Sequence, residues 1–388
     1  MKKICKLWIL ILLSFVTTGC CLSVGSIVMG KDCNKKMYCN SGSVSMDYAF
    51  DLPTTYSASY EKAVKSVVTV LSSSTGVKAG SSSSGSGIIY KIDDTYAYIL
   101  TNRHVVAIKS STYSLFHNHI EIILSNYKKV SGTLVGAATG IDVAVIKVDK
   151  SAIEGSYELP IVKNSFTDID IGDAIFAIGS PLGTDHAFSA SFGSISNLYN
   201  TKVDFTSSNL GVYYPIQIDA AVNPGNSGGG LFNGNGDLVG MVQGGRTVSS
   251  ENDSTIITTG INYAIPITTA INVGNNLILN GSYEFADIGI DSAYIEDLKL
   301  MSNSDRTALG INDSERSGIY VRHINLLGAA SIAGMSSKFV VESIDGINMN
   351  SKGVWEMYLA SKNEGEVVVV KGHYINSDIE VTYNITLK

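Results

Sequence analysis

Cysteine is absent from this 388-residue chain after residue 39. All five cysteines, Cys5, Cys20, Cys21, Cys33 and Cys39, precede that point. The rest of the chain therefore has no thiol nucleophile and no cysteine metal ligand. Charge is sparse as well. Asp, Glu, Lys and Arg make up 16% of residues, and the net charge is −7. No basic stripe runs along the chain, which argues against nucleic acid as a partner. Metal ligands are few. His117 and His119 are two apart and share a face in an extended segment. No third ligand stands at motif spacing, so they read as a surface loop. His186, His323 and His373 have no recognisable partner. No metal and no cofactor is expected.

Apolar residues, at 45%, are plentiful enough for two or three globular domains. The first thirty residues stand apart. Lys2, Lys3 and Lys6 precede an apolar run from Leu7 to Val16, the pattern of a secretory signal. Two membrane readings compete. The charge-free stretch Leu7–Gly30 is long enough to cross a bilayer as an uncleaved anchor helix. Alternatively, Thr17-Thr18-Gly19-Cys20 resembles a bacterial lipobox, with Thr17 where leucine is usual and Cys20 as the lipidated residue. Both readings put the remaining chain outside the cytoplasm, membrane-attached, with the lysines inside. Cys33 and Cys39 are either a short disulfide or two free thiols. Residues 31–58 are polar and aperiodic and read as a linker.

From Tyr60 onward come short β-rich runs: Val67–Leu71, Ile88–Ile92, Tyr96–Leu100, Ile120–Leu124, Val143–Val148, Ala174–Ile178, Tyr213–Ile218 and Leu238–Val242. Glycine and asparagine clusters separate them. This predicts a mainly β sandwich or barrel and does not choose between the two. Ser81–Ser84 reads as a solvated connection. A helix near Ile267–Leu279 and a Gly281-Ser282 linker follow.

The segment Gly225-Asn226-Ser227-Gly228-Gly229-Gly230 sets a serine among glycines. A nucleophilic serine must stand on a tight turn, with backbone N–H groups converging where an oxyanion forms. A serine hydroxyl also needs a base. Thr101-Asn102-Arg103-His104-Val105-Val106 offers His104. The strand-like run from Asp142 to Val148, preceded by Ala138-Thr139-Gly140, offers Asp142 to orient it. The order His, Asp, Ser is that of the chymotrypsin-type triad.

With these segments the chain resembles the HtrA (Deg) family, a trypsin-like protease domain followed by a PDZ domain. Gly85-Ser86-Gly87-Ile88-Ile89, Gly179-Ser180-Pro181-Leu182-Gly183, Gln217–Pro224 and Asn262-Tyr263-Ala264-Ile265-Pro266 match in order. Gly230 stands where the family usually has proline, which should loosen the turn. The resemblance implies two packed β-barrels over residues 59–280 and a small α+β PDZ domain over 283–388, behind an anchor (1–30) and the linker (31–58). It implies Ser227 as nucleophile, His104 as base and Asp142 as its partner. Gly225 and Ser227 would supply the oxyanion N–H groups, with Asn226 shaping the loop. Ala221, six residues before the serine, and Val222 would make an apolar specificity pocket. The strand Val242–Gly245, with Val242, Gln243 and Gly244 as substrate-binding residues, would pair with the substrate backbone. Small or medium aliphatic side chains are then preferred, so unfolded proteins and peptides are the expected substrates. Asp287, Ile288, Gly289 and Ile290 resemble the PDZ loop that captures C-terminal peptides, with Leu327–Ala333 and Val354–Ser361 as helices. Lys338-Phe339 stands where the family usually has Gly-Asp. The family's trimers imply a homotrimer through Tyr56 and Tyr60.

Rival readings keep part of this picture. A chaperone-like homologue would keep the fold without the chemistry. A regulated signalling protease would use the same residues on one membrane-associated substrate. A cell-surface adhesion module draws only on the tether.

Overall fold

The computed structural model describes residues 56–75, 81–108, 115–200, 202–205, 211–249 and 255–388. The expected anchor, Cys20, the Cys33–Cys39 pair and most of the linker lie outside the described residues. Among the described residues no helix is long and apolar enough to cross a membrane. The first described element is a helix at Tyr56–Ala63, which takes in the last three residues of the expected linker.

The first closed barrel is built from β1 (Val67–Ser73), β2 (Ser82–Ile92), β3 (Tyr96–Thr101), β4 (His119–Ile123), β5 (Lys129–Ala137) and β6 (Ala144–Asp149). They are joined in the order β1-β2-β3-β6-β5-β4. Period-two alternation explains why its strands read as unbroken apolar runs. Val68, Val70, Ala97, Ile99, Ala144 and Ile146 fill the barrel. Their neighbours Val67, Tyr98, Leu100, Val143 and Val145 turn outward into a second core shared with the rest of the protein. Each fully buried Val, Leu or Ile among these contributes about 1.5–3 kcal/mol relative to exposure. The serine run expected as a connection is part of β2. Ser82, Ser83 and Ser84 pair with Ser73, Ser72 and Leu71 of β1. Backbone pairing decides there, not side-chain propensity.

The second closed barrel uses β7 (Ala174–Gly179), β8 (Ser189–Leu198), β11 (Ile216–Ile218), β12 (Gly230–Asn233), β13 (Leu238–Ser249) and β14 (Thr255–Pro266). Its order is β11-β14-β13-β12-β7-β8. Two short strands, β9 (Val203–Phe205) and β10 (Gly211–Tyr213), form a separate hairpin. The single strand expected over Tyr213–Ile218 is thus split at Tyr214-Pro215. Phe176 and Phe232 stack at 5.6 Å inside the barrel. Gly230 does not sit in a loosened turn. It is paired with Ile178 and Met241 on its two sides, and the Phe232 ring fills the space beside it.

The helix Ile267–Asn280 follows, burying Ile267, Ala270, Val273 and Leu277 at helical spacing. Gly281 ends it in the left-handed region, its N–H on the Leu277 carbonyl. Beyond lies an antiparallel sheet of β15 (Ile290–Tyr294), β16 (Ile319–Ile324), β17 (Phe339–Ile344), β18 (Ile347–Asn348), β19 (Val367–Tyr374) and β20 (Glu380–Thr386), with β15 at its edge. The helices Ala329–Ile332 and Lys352–Leu359 stand near the expected positions. Barrels and sheet belong to one compact unit. Thr269 Oγ1 donates to Met357 O at 3.1 Å, and Asn272 Nδ2 to Ala360 O at 3.2 Å and Lys362 O at 3.0 Å.

Two histidines differ from expectation. His117 is not on a surface loop. It is buried, with Nδ1 3.0 Å from Ser74 Oγ. His373 has partners: Nε2 meets Glu315 and Nδ1 faces Glu342.

Candidate active site

His104 sits on a four-residue helix, Arg103–Val106, directly after β3. Val105 and Val106 pack into the first barrel and fix that helix. Asp142 lies just before β6 and is wholly buried. Its carboxylate meets His104 twice: Oδ2 on ring Nδ1 at 2.7 Å, and Oδ1 accepting the His104 backbone N–H at 3.0 Å. A carboxylate only accepts, so Nδ1 carries the proton and Nε2 is the basic nitrogen of the neutral ring.

Three further side chains hold Asp142 and His104 in register. Asn102 Nδ2 donates to the Asp142 backbone carbonyl at 2.7 Å. Gln243 Nε2 donates to Asp142 Oδ2 at 3.3 Å. Arg103 Nη1 donates to the carbonyls of Ala137 at 3.0 Å and Ala138 at 2.8 Å, tying the histidine helix to the segment that leads to Asp142. Burial pushes the Arg103 guanidinium below its ordinary pKa, and the nearby Asp142 charge opposes that shift.

Ser227 precedes β12 and is buried. Its hydroxyl donates to the Gln243 carbonyl at 2.8 Å. The serine and the Asp142–His104 pair are therefore linked through one residue, Gln243. The backbone at Gly85 separates Val105 from the Ser227 carbonyl, which also brings the two segments together.

Three loop carbonyls are engaged from behind. Pro224 O accepts from Leu182 N–H at 2.7 Å, Asn226 O from Gly229 N–H at 2.9 Å, and Ser227 O from Ser86 N–H at 2.8 Å. In a trans peptide the N–H points opposite its carbonyl. The N–H groups of Gly225 and Ser227 thus face away from these anchors, and neither has an acceptor among the described residues. Gly225 has φ +104°, and a Cβ there would come 2.3 Å from Ser180 O. Only glycine fits that position. Asn226 is buried in the loop, its Oδ1 without a hydrogen-bond partner among the described residues.

Around this centre Ala221 is exposed and Val222 half-buried. Ser191 Oγ donates to the Ala221 carbonyl at 2.7 Å. The neighbouring Asp219 carboxylate is turned to Ser194, accepting its N–H at 2.6 Å. Val242 lies in the core with its backbone committed: its carbonyl accepts from Gly228 N–H and its N–H donates to Gly229 O, both at 2.8 Å. Val242 therefore holds the serine loop and has no backbone group left for a substrate. Gln243 reaches Asp142 and Ser227, and Gly244 pairs with Tyr263.

At the other end of the chain, Asp287, Ile288, Gly289 and Ile290 enter β15. Gly289 N–H donates to the Asp287 side chain at 2.8 Å. Ile288 O accepts from Ala330 N–H at 2.8 Å and Gly289 O from Asn325 N–H at 2.9 Å. Sequence reasoning missed the roles of Asn102, Arg103 and Gln243 as supports. The adjacency of Asn102 and Arg103 to His104 was the available signal; nothing in the sequence placed the Gln243 amide on Asp142.

Comparison with known proteins agrees with this geometry. A trypsin-like peptidase domain model matches residues 85–241. The serine protease Do-like HtrA of Lactococcus lactis subsp. cremoris (strain MG1363) is 31% identical over 304 residues, covering 78% of this chain and 68% of that one. The protein of the same name from Lactobacillus helveticus is 28% identical over 310 residues, covering 80% and 70%. Among solved structures, an HtrA-type protease AlgW with tripeptide superposes with a TM-score of 0.57 at 24% identity, covering 86% of this chain and 97% of that one. At that identity the likeness speaks for the fold. The fold and the aligned relatives agree: this chain is a serine endopeptidase and belongs to the HtrA family.

Proposed function

We propose that the chain is a membrane-attached extracytoplasmic protease that cleaves unfolded or damaged proteins through an acyl-enzyme at Ser227. The observation that carries this is the two-point hold of Asp142 on His104, with the nucleophile one residue's reach away. In this proposal a change of Ser227 rotamer releases Oγ from the Gln243 carbonyl and turns it to His104 Nε2. His104 then removes the hydroxyl proton as Oγ bonds to the substrate carbonyl carbon. The Gly225 and Ser227 N–H groups stabilise the resulting oxyanion. His104 returns the proton to the leaving amine nitrogen as the C–N bond breaks. Water repeats the sequence on the ester and frees Ser227.

The pocket argument supports small or medium aliphatic residues on the acyl side of the cut bond. No carboxylate stands at Ala221, and a buried substrate cation without a partner is costly. Such side chains are accessible chiefly in unfolded chains. The C-terminal sheet, with β15 at its edge, is read as a PDZ-type domain taking C-terminal peptides as an added strand. Tyr56 packs on Phe192 at 4.9 Å and remains partly exposed, which fits the homotrimer reading. The N-terminal segment is read as anchor or lipoprotein signal.

Cleavage of unfolded casein by the full-length chain tests the proposal. Activity abolished by Ser227→Ala is the expected result. Undiminished cleavage by that variant removes the proposal.

A further inference from the structure

Ser86, in β2, is wholly buried, yet all its polar groups are used. Its hydroxyl donates to the Gly225 carbonyl at 2.7 Å and accepts from the Ser180 N–H at 2.9 Å. Its N–H donates to the Ser227 carbonyl at 2.8 Å. Its carbonyl accepts from Thr101 Oγ1 at 2.7 Å. One residue thus joins the serine loop, the 180–183 turn and the strand that leads to His104.

The Gly225 carbonyl belongs to the peptide between the two candidate oxyanion donors. Its orientation is set by ψ at Gly225, which no Cβ restrains, and its Asn226 N–H donates to Asn223 O at 3.0 Å. A change in ψ at Gly225 would turn the Asn226–Ser227 segment that follows, and with it the Ser227 N–H, relative to the Gly225 N–H. The Ser86 hydroxyl opposes it by holding the carbonyl from behind. Space for this contact is made at Gly179, where a Cβ would come 3.0 Å from Ser86 Oγ and 2.8 Å from Asn226 Oδ1.

We propose that Ser86 is a positioning residue for the oxyanion site, locking the Gly225–Asn226 peptide so that the Gly225 and Ser227 N–H groups face the reacting carbonyl. The proposal rests on the reading of Ser227 as nucleophile. It acts through the loop and touches no substrate. Its effect therefore falls on the tetrahedral state and not on substrate binding.

The test uses full-length Ser86→Ala and Ser86→Cys on unfolded casein and on a short aliphatic peptide substrate, with a peptide aldehyde as probe. The aldehyde forms a hemiacetal whose oxygen occupies the oxyanion position. Deleting a donor outright costs about 100- to 1,000-fold, so misaligning the pair through Ser86→Ala is expected to lower kcat about 10- to 100-fold. KM should stay within about twofold, and aldehyde affinity should fall by the same factor as kcat. Ser86→Cys, keeping a weak donor, should fall between. A folded Ser86→Ala with unchanged kcat and aldehyde affinity overturns the proposal, as does a loss carried by KM alone. Where alanine prevents folding, Ser86→Cys decides: a reduced kcat supports the proposal, a full kcat overturns it. A serine-directed phosphonate on the unsubstituted chain separates the two readings. Failure to label Ser227 removes both, whereas normal labelling with an active Ser86→Ala removes only this one.

Discussion

Asp142 binds His104 at two points, the ring Nδ1 at 2.7 Å and the backbone N–H at 3.0 Å. The first contact sets the tautomer. The second fixes where the ring stands relative to β6. Asparagine in place of Asp142 retains much of the shape and loses the acceptor that keeps the proton on Nδ1. In the proposed mechanism Asp142→Asn therefore lowers kcat about 10,000-fold at neutral pH, with KM little changed, in steady-state kinetics.

Stability should fall on mild acidification because of His117. Burial pushes its imidazole below the ordinary pKa of 6.5. The fold holds the neutral ring, so the unfolded chain takes up the proton first. The contribution of His117 is complete above about pH 6.5 and is lost as pH drops through the depressed native value. One such group changes stability by at most about 1.4 kcal/mol per pH unit. Urea midpoints measured from about pH 7.5 down to about pH 5 should decline, and His117→Gln should flatten the decline. Identical slopes for both proteins would contradict this account of the buried ring.

The Asp287 carboxylate already accepts the Gly289 N–H that a captured C-terminus would use. A ligand carboxylate has to displace it and meets its negative charge on approach. Asp287→Ala is therefore expected to raise the affinity of residues 56–388, within the full chain, for peptides ending in Val, Leu or Phe. A gain of about 5- to 10-fold corresponds to about 1–1.4 kcal/mol, the net worth of one ordinary hydrogen bond. Fluorescence anisotropy with free and amidated peptides measures it. Equal binding of both peptide forms by both proteins speaks against carboxylate capture here.

Much of the architecture was legible because its signals were local. Apolar runs such as Val143–Val148 and Ala174–Ile178 became β6 and β7. The His, Asp and Ser segments carry their own flanking patterns. What escaped was decided by backbone pairing or by partners elsewhere in the chain, not by the segment's own composition. β8, with its sequence SASFGSISNL, has little strand propensity and forms by pairing with β7. The Ser82–Ser84 stretch is held by β1 in the same way. His117 and His373 gave no sign of burial because Ser74, Glu315 and Glu342 lie 31 to 58 residues away. Gln243, marked only as a substrate-side residue, reaches Asp142 from a segment 101 residues away.

The central claim is that Ser227 is the acylated nucleophile. The most direct measurement is peptide mapping by mass spectrometry after treating the full-length chain with a phosphonylating reagent. The account predicts a single stoichiometric adduct on Ser227, formed in parallel with loss of casein cleavage and absent after His104→Ala or Ser227→Ala. An adduct on another residue, or full inactivation with Ser227 unmodified, would contradict it.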